Sequence, residues 1–98
     1  MEIIGMEREA EQIIKNAFDR ALQLQLRLGT FPPLSSIQAQ LDYLRGLVRH
    51  EHRDFSRLKD IILGIYAARE FETIDLEFAE MLYRVEVVVD SLKKLAEI

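Results

Sequence analysis

Two histidines, His50 and His52, and a large set of carboxylates are the side chains of this chain that could bind a metal. On a helix, residues two positions apart point to nearly opposite sides, and the zinc pairing of two histidines at i and i+4 is absent. A di-iron bundle needs Glu-x-x-His motifs, and neither histidine follows a glutamate at that spacing. We therefore expect no metal site, and we interpret both histidines as solvated residues near the end of a helix.

No motif brings together the groups of an enzyme active site. The chain has no cysteine, and its serines resemble helix caps or surface residues. Nucleophilic catalysis needs a base within hydrogen-bond reach of the nucleophile. The four glycines are scattered singly, so a glycine-rich phosphate loop is missing as well. The sequence predicts a protein that is not an enzyme and that takes no cofactor.

The most unusual stretch is the acidic segment, residues 70–80, which contains no lysine or arginine. Its carboxylates are Glu70, Glu72, Asp75, Glu77 and Glu80. Negative charge stabilises the N-terminus of a helix, which explains Asp75 and Glu77 if a helix begins near residue 75. It does not explain Glu70 and Glu72, which would end the preceding helix. The alternative is that the segment presents its carboxylates to a cationic site on a partner.

A basic segment precedes the acidic one in the chain. Its cations are Arg45, Arg49, Arg53, Arg57 and Lys59. It could contact an anion or RNA, but the net charge of −4 and the pI near 5.2 argue against a nucleic-acid partner. We expect this segment to be solvated or to pair with the acidic segment inside the fold.

Apolar residues at steps of three and four predict helices over about residues 6–28, 35–50, 55–71 and 75–97. The apolar stripe of the first helix contains Met6, Ala10, Ile13, Ala17, Ala21, Leu24 and Leu28. Gly29 is placed to end this helix, and the two prolines after it are expected to form a connection. Ser35 and Gln38 fit a capping box that would begin the second helix.

The uncharged run over residues 61–68 predicts a central helix, with Asp54 as its N-cap. Its main apolar face contains Leu58, Ile61, Ile62, Ile65 and Ala68, whereas Leu63 and Ala67 fall on the other side. Asp75 is the expected cap of the fourth helix. The run over residues 85–89 would suit a strand by propensity, but the three-four spacing continues through it and favours a helix.

These segments predict an all-α fold class: a small antiparallel four-helix bundle that forms one domain over residues 1–98. A chain of this length, with 49% hydrophobic residues, can bury a core without disulfides. The N-terminus lacks the features of a signal peptide, and no apolar run approaches the roughly 20 residues of a membrane span. We expect a cytoplasmic protein without a membrane partner.

The stretch over residues 63–77 resembles a small all-helical family of immunity proteins from bacterial type VI secretion systems. The matching positions are Leu63, Gly64, Ala67, Arg69, Glu70, Phe71, Glu72, Asp75 and Glu77, and upstream Gln40, Leu41, Tyr43, Arg45, Ser56 and Leu58. The family member that it most resembles neutralises an NAD(P)-hydrolysing effector. The resemblance covers about the middle half of the chain.

The resemblance implies a protein that binds one cognate toxin domain and covers its active site. The chemistry of the toxin does not carry over, because relatives guard against different reactions. From charge and residue type, we predict the partner-binding residues Tyr66, Glu70, Phe71, Glu72, Asp75, Glu77 and Glu80, with the two aromatic side chains as apolar anchors. A helical adaptor or secretion chaperone is the alternative, and a homodimer of the unbound protein stays open.

Overall fold

The computed structural model describes residues 2–97, with side chains from Arg8 onward, and within that range every regular element is helical. The long helices are α1 (Glu2–Leu28), α2 (Pro32–Val48) and α4 (Leu76–Ala96). Between the last two, a 3-10 turn (Leu58–Asp60) precedes the short α3 (Leu63–Tyr66), which continues as a π-helical turn (Ala67–Phe71). The predicted all-α bundle is confirmed. The side chain of Met6, placed in the first apolar stripe, lies outside the described residues.

Helix α1 packs between α2 and α4 and runs antiparallel to both. Gly29 ends α1 with a left-handed φ of 69°, and its N–H bonds the Gln25 carbonyl at 2.8 Å, as expected for a terminating glycine. The chain then reverses within three residues into α2. Of the predicted stripe of α1, Ala17, Ala21 and Leu24 are fully buried. Ile14 is fully buried in place of Ile13, which is partly buried like Ala10, and Leu28 is 40% exposed.

Helix α2 begins three residues earlier than the sequence indicated. Pro32 and Pro33 occupy its first turn, where backbone N–H groups have no partner within the helix, so proline loses no hydrogen bond there. The fixed φ of proline also suits a helix. The predicted capping box is therefore wrong: Ser35 and Gln38 lie inside the helix, and the Gln38 side-chain amide donates to Gln25 of α1 at 2.8 Å. The early start also buries Leu34 completely.

The predicted continuous helix over residues 55–71 is wrong. Helix α2 stops where His50 adopts a left-handed φ of 60° and the Glu51 N–H bonds the Gly46 carbonyl at 2.9 Å, the geometry of a Schellman cap. Asp54 caps no helix; its carboxylate accepts the N–H and the hydroxyl of Ser56, which holds the pKa of Asp54 below its usual value. The backbone at Ile61 is extended, with ψ of 124°.

His52 fixes the loop over residues 49–57 to α2. The Asp54 N–H donates to Nδ1 at 3.2 Å, so the imidazole proton is on Nε2, which lies 3.1 Å from the Tyr43 carbonyl. The ring also stacks on Tyr43, with 5.2 Å between centroids. It lies so close to the Gly46 backbone that a Cβ there would be 2.7 Å from His52 Cδ2. His52 is thus a half-buried packing residue and not a solvated one.

Side chains from other helices cap the start of α3, because Ile62 at its N-cap position has no polar group. The Gln40 side chain of α2 accepts the Ile62 N–H at 2.9 Å. The Glu86 carboxylate of α4 accepts the Gly64 N–H at the same distance, where an anion also complements the helix dipole. These contacts hold α3 in the gap between α2 and α4.

The late start of α3 changes which face of the central segment is buried. Leu63, Ala67 and Phe71 are fully buried, whereas Ile62 and Ile65 are exposed. The predicted face containing Ile62, Ile65 and Ala68 is therefore wrong. The prediction assumed an unbroken helix from residue 55, whereas the extended backbone at Ile61 and the non-helical ψ of 34° at Ile62 shift the helical register of the residues that follow.

Helix α4 follows the prediction closely. Asp75 is its N-cap, accepting the Phe78 N–H at 3.0 Å. The run over residues 85–89 is helical despite its strand propensity. Four of the predicted stripe residues are fully buried, namely Phe78, Leu82, Val85 and Val89.

We predict that Gly46→Ala destabilises the protein although alanine is the better helix former. The new Cβ must displace the His52 ring, and overpacking of this kind costs about 1–3 kcal/mol, more than the roughly 1 kcal/mol gained in propensity. Gly64→Ala is the matched control, because its Cβ would meet only the Glu86 side chain, at ordinary contact distances of 3.4 Å or more. Urea unfolding should give a lower midpoint for the first variant and an unchanged or higher one for the second. Equal midpoints would contradict this account of His52.

We predict that Asp75→Ala lowers the free energy of unfolding by about 1–3 kcal/mol, since the variant loses a helix cap and leaves Arg20 without its 2.7 Å partner. Glu77→Ala removes an exposed carboxylate two residues away and should change stability by less than about 0.5 kcal/mol. Thermal unfolding of both variants measures the difference. A similar loss in the two would mean that Asp75 contributes only surface charge.

Candidate functional site: the acidic segment

The acidic segment surrounds the connection between the π-helical turn and α4. The π-helical turn closes with the Glu72 N–H bonded to the Ala67 carbonyl at 3.1 Å, and the Asp75 N–H bonds the Phe71 carbonyl at 2.8 Å. Helix α4 begins at the next residue. Glu70 and Glu72 precede this connection, and Glu77 and Glu80 follow it. All four therefore lie near the N-terminus of α4.

Asp75 has a structural role, because its carboxylate is nearly buried and bonds other residues of the fold. Its side chain is only 7% exposed, and Arg20 of α1 donates to it from Nη2 at 2.7 Å and from Nε at 3.0 Å. It also accepts the Phe78 N–H as the cap of α4. A carboxylate this buried and this fully bonded has little surface or hydrogen-bonding capacity left for a partner.

Glu77 shares the same cation but remains accessible. Arg20 Nη1 lies 3.6 Å from Glu77 Oε1, and the Glu77 side chain is 66% exposed. An ion pair of this length at the surface contributes at most about 1 kcal/mol. Glu77 could therefore exchange Arg20 for a cation of a partner at low cost.

Arg20 was not assigned a role from the sequence, because it is one polar residue among many on a long amphipathic helix. Of the two alternatives expected for the basic segment, pairing with the acidic segment is wrong, whereas Arg49, Arg53, Arg57 and Lys59 are exposed to solvent as the other alternative states. Arg45 pairs with Asp42 at 3.1 Å, and Arg49 pairs with Glu11 at 3.2 Å. Arg20 is the cation that pairs with Asp75 and Glu77 of the acidic segment, and this pairing becomes visible only from the contact between α1 and the start of α4.

Glu72 is exposed and accepts a hydrogen bond from the hydroxyl of Tyr83, which lies on α4. That hydrogen bond raises the pKa of Tyr83 above its ordinary value of about 10, since losing the proton would set a phenolate against a carboxylate. At neutral pH the tyrosine is a donor, and it orients Glu72 without neutralising it. The negative charge of Glu72 therefore remains available to a partner.

Glu70 and Glu80 form no ion pair among the described side chains. Glu80 is exposed and Glu70 is half-buried. Together with Glu72 and Glu77, they make up the accessible carboxylates of the segment.

The two aromatic residues differ in accessibility. Phe71 has no exposed surface; its ring packs edge-on against Phe31 at 5.9 Å and Phe78 at 4.8 Å between centroids. Its expected role as an exposed anchor is incompatible with this packing. Tyr66 is half-buried and packs against the core, so part of its side chain is accessible.

Exposed aliphatic side chains lie along the same part of the chain, and the sequence reasoning missed them. They are Ile62, Ile65, Ile74 and Leu76. Ile65 is 51% exposed and Leu76 is 56% exposed. The four-residue spacing of Leu63, Ala67 and Phe71 in the sequence indicated that these side chains face the core. The prediction chose the face with Ile62 and Ile65 because it assumed that the helix begins at residue 55.

The described residues contain no group of three histidine, cysteine or acidic side chains arranged to hold a metal ion. None of the described helices has the length and hydropathy needed to cross a bilayer. What the acidic segment can offer is charge and apolar surface: four accessible carboxylates, together with the exposed side chains of Ile74 and Leu76 in the same segment.

A search of curated proteins and a search of solved structures give no significant match. The model of the Tsi6 family matches residues 9–91, a range that extends from the second turn of α1 far into α4 and is wider than the resemblance seen in the sequence. The chain therefore belongs to the Tsi6 family of type VI secretion immunity proteins, which bind a toxin.

Proposed function

We propose that this immunity protein neutralises a toxin that consumes NAD(P) or a related nucleotide, by covering the active site with the acidic segment. The protein contributes no chemistry of its own and acts in the cytoplasm of the cell that it protects. The observation that carries the proposal is the set of accessible carboxylates together with the exposed Ile74 and Leu76 at the N-terminal end of α4.

The charge of the segment suits such a target. Enzymes that bind nucleotides hold phosphates with arginine, lysine and backbone N–H groups, and the same donors accept carboxylates. Glu70, Glu72, Glu77 and Glu80 would occupy this cationic pocket. Asp75 would act indirectly, because it holds the start of α4 and Arg20 in place.

The apolar part of the interface would come from Ile65, Ile74 and Leu76, with the accessible side of Tyr66. Buried apolar anchors supply most of the binding energy of a protein interface, and charged residues around them raise the association rate and specificity. A standard interface takes about 800 Å² from each partner. That is roughly one eighth of the 6432 Å² surface of this chain.

Inhibition distinguishes this function from that of an adaptor or secretion chaperone. The purified protein should form a complex with the toxin domain encoded beside it and should abolish NAD(P) consumption at one equivalent. A complex that forms while turnover continues would support the adaptor and overturn the proposal.

We predict that the double reversal Glu70→Lys with Glu72→Lys slows association with the toxin by about tenfold or more at low salt, and weakens the dependence of that rate on salt. Stopped-flow mixing measures both quantities. The matched control is Asp90→Lys with Glu97→Lys, which makes the same change in net charge in the C-terminal half of α4 and at its C-cap. If the two double variants associate equally fast, the acidic segment is not the binding site.

We predict that Ile65→Lys weakens toxin affinity by at least about tenfold without loss of stability, because the side chain is exposed in the free protein and buried in the complex. Leu26→Lys is the control, since Leu26 is 88% exposed on α1. Calorimetric titration of both variants gives the affinities. An unchanged affinity for Ile65→Lys would remove α3 from the interface.

A further inference from the structure

An apolar groove lies at the opposite end of α4 from the acidic segment. Its volume is about 400 Å³, and it opens between α1, the end of α2, the loop over residues 49–57 and α4. The walls are mostly aliphatic, with Leu47 and Val48 on one side and Val88, Leu92 and Leu95 on the other. Phe55 of the loop, which is 40% exposed, completes the rim.

A second groove of about 360 Å³ continues the first along the seam between α1 and α4. The two share Ala10, Val88 and Ser91, so they form one trough. It follows α4 from Arg84 to Leu95, which at 1.5 Å per residue is about 16 Å, or three helical turns. The trough therefore has the length of a short docked helix.

The side of α4 that lines the trough is not the side that packs on the third segment. Gly64 of α3 contacts Glu86 of α4, and residues two positions apart on a helix, such as Glu86 and Val88, point to nearly opposite sides. Val87 and Leu95 are 65% and 61% exposed, so α4 has accessible apolar surface along the trough.

The charged residues that line the trough are mainly basic. Arg53 lies at one end and Arg84 at the other, and neither forms an ion pair within the described side chains. Glu9 is the only carboxylate among the described lining residues. The complementary partner is therefore apolar on one face and acidic beside it.

We propose that this trough binds an amphipathic α-helix of a partner protein, with apolar residues spaced i, i+4, i+7 against Val88, Leu92 and Leu95 and acidic residues near Arg53 and Arg84. Helices bind to grooves of other proteins in this way, burying one apolar face and ordering their flanking charges.

The apolar end of the trough is separate from the surface proposed for the toxin. Leu95 is 15 residues from Glu80, about 22 Å along α4, whereas Arg84 at the other end of the trough is one helical turn from Glu80. Binding at Leu95 can therefore be tested apart from toxin neutralisation.

The test uses a fluorescein-labelled synthetic peptide of about 14 residues, four helical turns, with leucine at i, i+4 and i+7 and glutamate on the flanks. A second peptide has lysine in place of every glutamate. We expect the acidic peptide to bind the intact protein at least tenfold more tightly than the basic one, as measured by fluorescence anisotropy. Its amide-shift perturbations in a nitrogen-15 spectrum should cluster at Val88, Ser91 and Leu92.

Exposed positions provide variants that keep the fold. Leu95→Lys should weaken binding of the acidic peptide by tenfold or more, and Arg53→Glu should reverse the preference between the two peptides. Ile65→Lys and Leu26→Lys should bind the acidic peptide like the unmodified protein. Leu95→Lys should still neutralise the toxin, which separates failure of this inference from failure of the proposed function.

Each opposite result overturns the inference. These results are absence of peptide binding, equal binding of the two peptides, insensitivity to Leu95→Lys, and shift perturbations centred on α3. Binding of dodecanoate to the trough without the acidic peptide would indicate a lipid site. Self-association abolished by Leu95→Lys, without peptide binding, would indicate a second copy of the chain.

Discussion

The packing of three phenylalanine rings, Phe31, Phe71 and Phe78, holds together the start of α2, the π-helical turn and the start of α4. Phe31 precedes α2, Phe71 ends the π-helical turn and Phe78 lies in the first turn of α4. The central ring of Phe71 contacts both others edge-on, an arrangement that aromatic quadrupoles favour. Because Phe71 is fully enclosed, the residues immediately before and after it are forced to the rim of the core.

That constraint divides the acidic segment into two kinds of carboxylate. Asp75 turns inward, where it caps α4 and binds Arg20. Its neighbours turn outward, and Tyr83 orients Glu72 by donating to it. A segment that is uniformly acidic in sequence thus contains one structural residue and four accessible ones. The exposed aliphatic side chains of the same region supply the apolar surface that a purely charged edge would lack.

At the other end of α4, residues 49–57 form part of the wall of an apolar trough. The Schellman cap at His50 and the packing of His52 over Gly46 hold these residues in a loop. Val88, Leu92 and Leu95 of α4 line the trough as well, with Arg53 and Arg84 at its two ends. The fold therefore presents an acidic surface and an apolar, basic surface along the same helix.

The sequence by itself determined the helical class, the helices at both ends of the chain, the glycine that ends α1 and the aspartate that caps α4. Each of these depends on local chemistry: apolar spacing, a left-handed glycine, or a side chain that bonds the backbone three residues away. The local resemblance around residues 63–77 likewise indicated the immunity family. Only the tertiary structure decided where α3 begins, because its caps, Gln40 and Glu86, come from helices that are 22 residues away in the chain. That start sets which of Ile62, Leu63 and Ile65 face the core, and with it the accessible surface of the candidate site. Arg20 was likewise undetectable in advance, since an ion pair across 55 residues leaves no periodic trace in a single sequence.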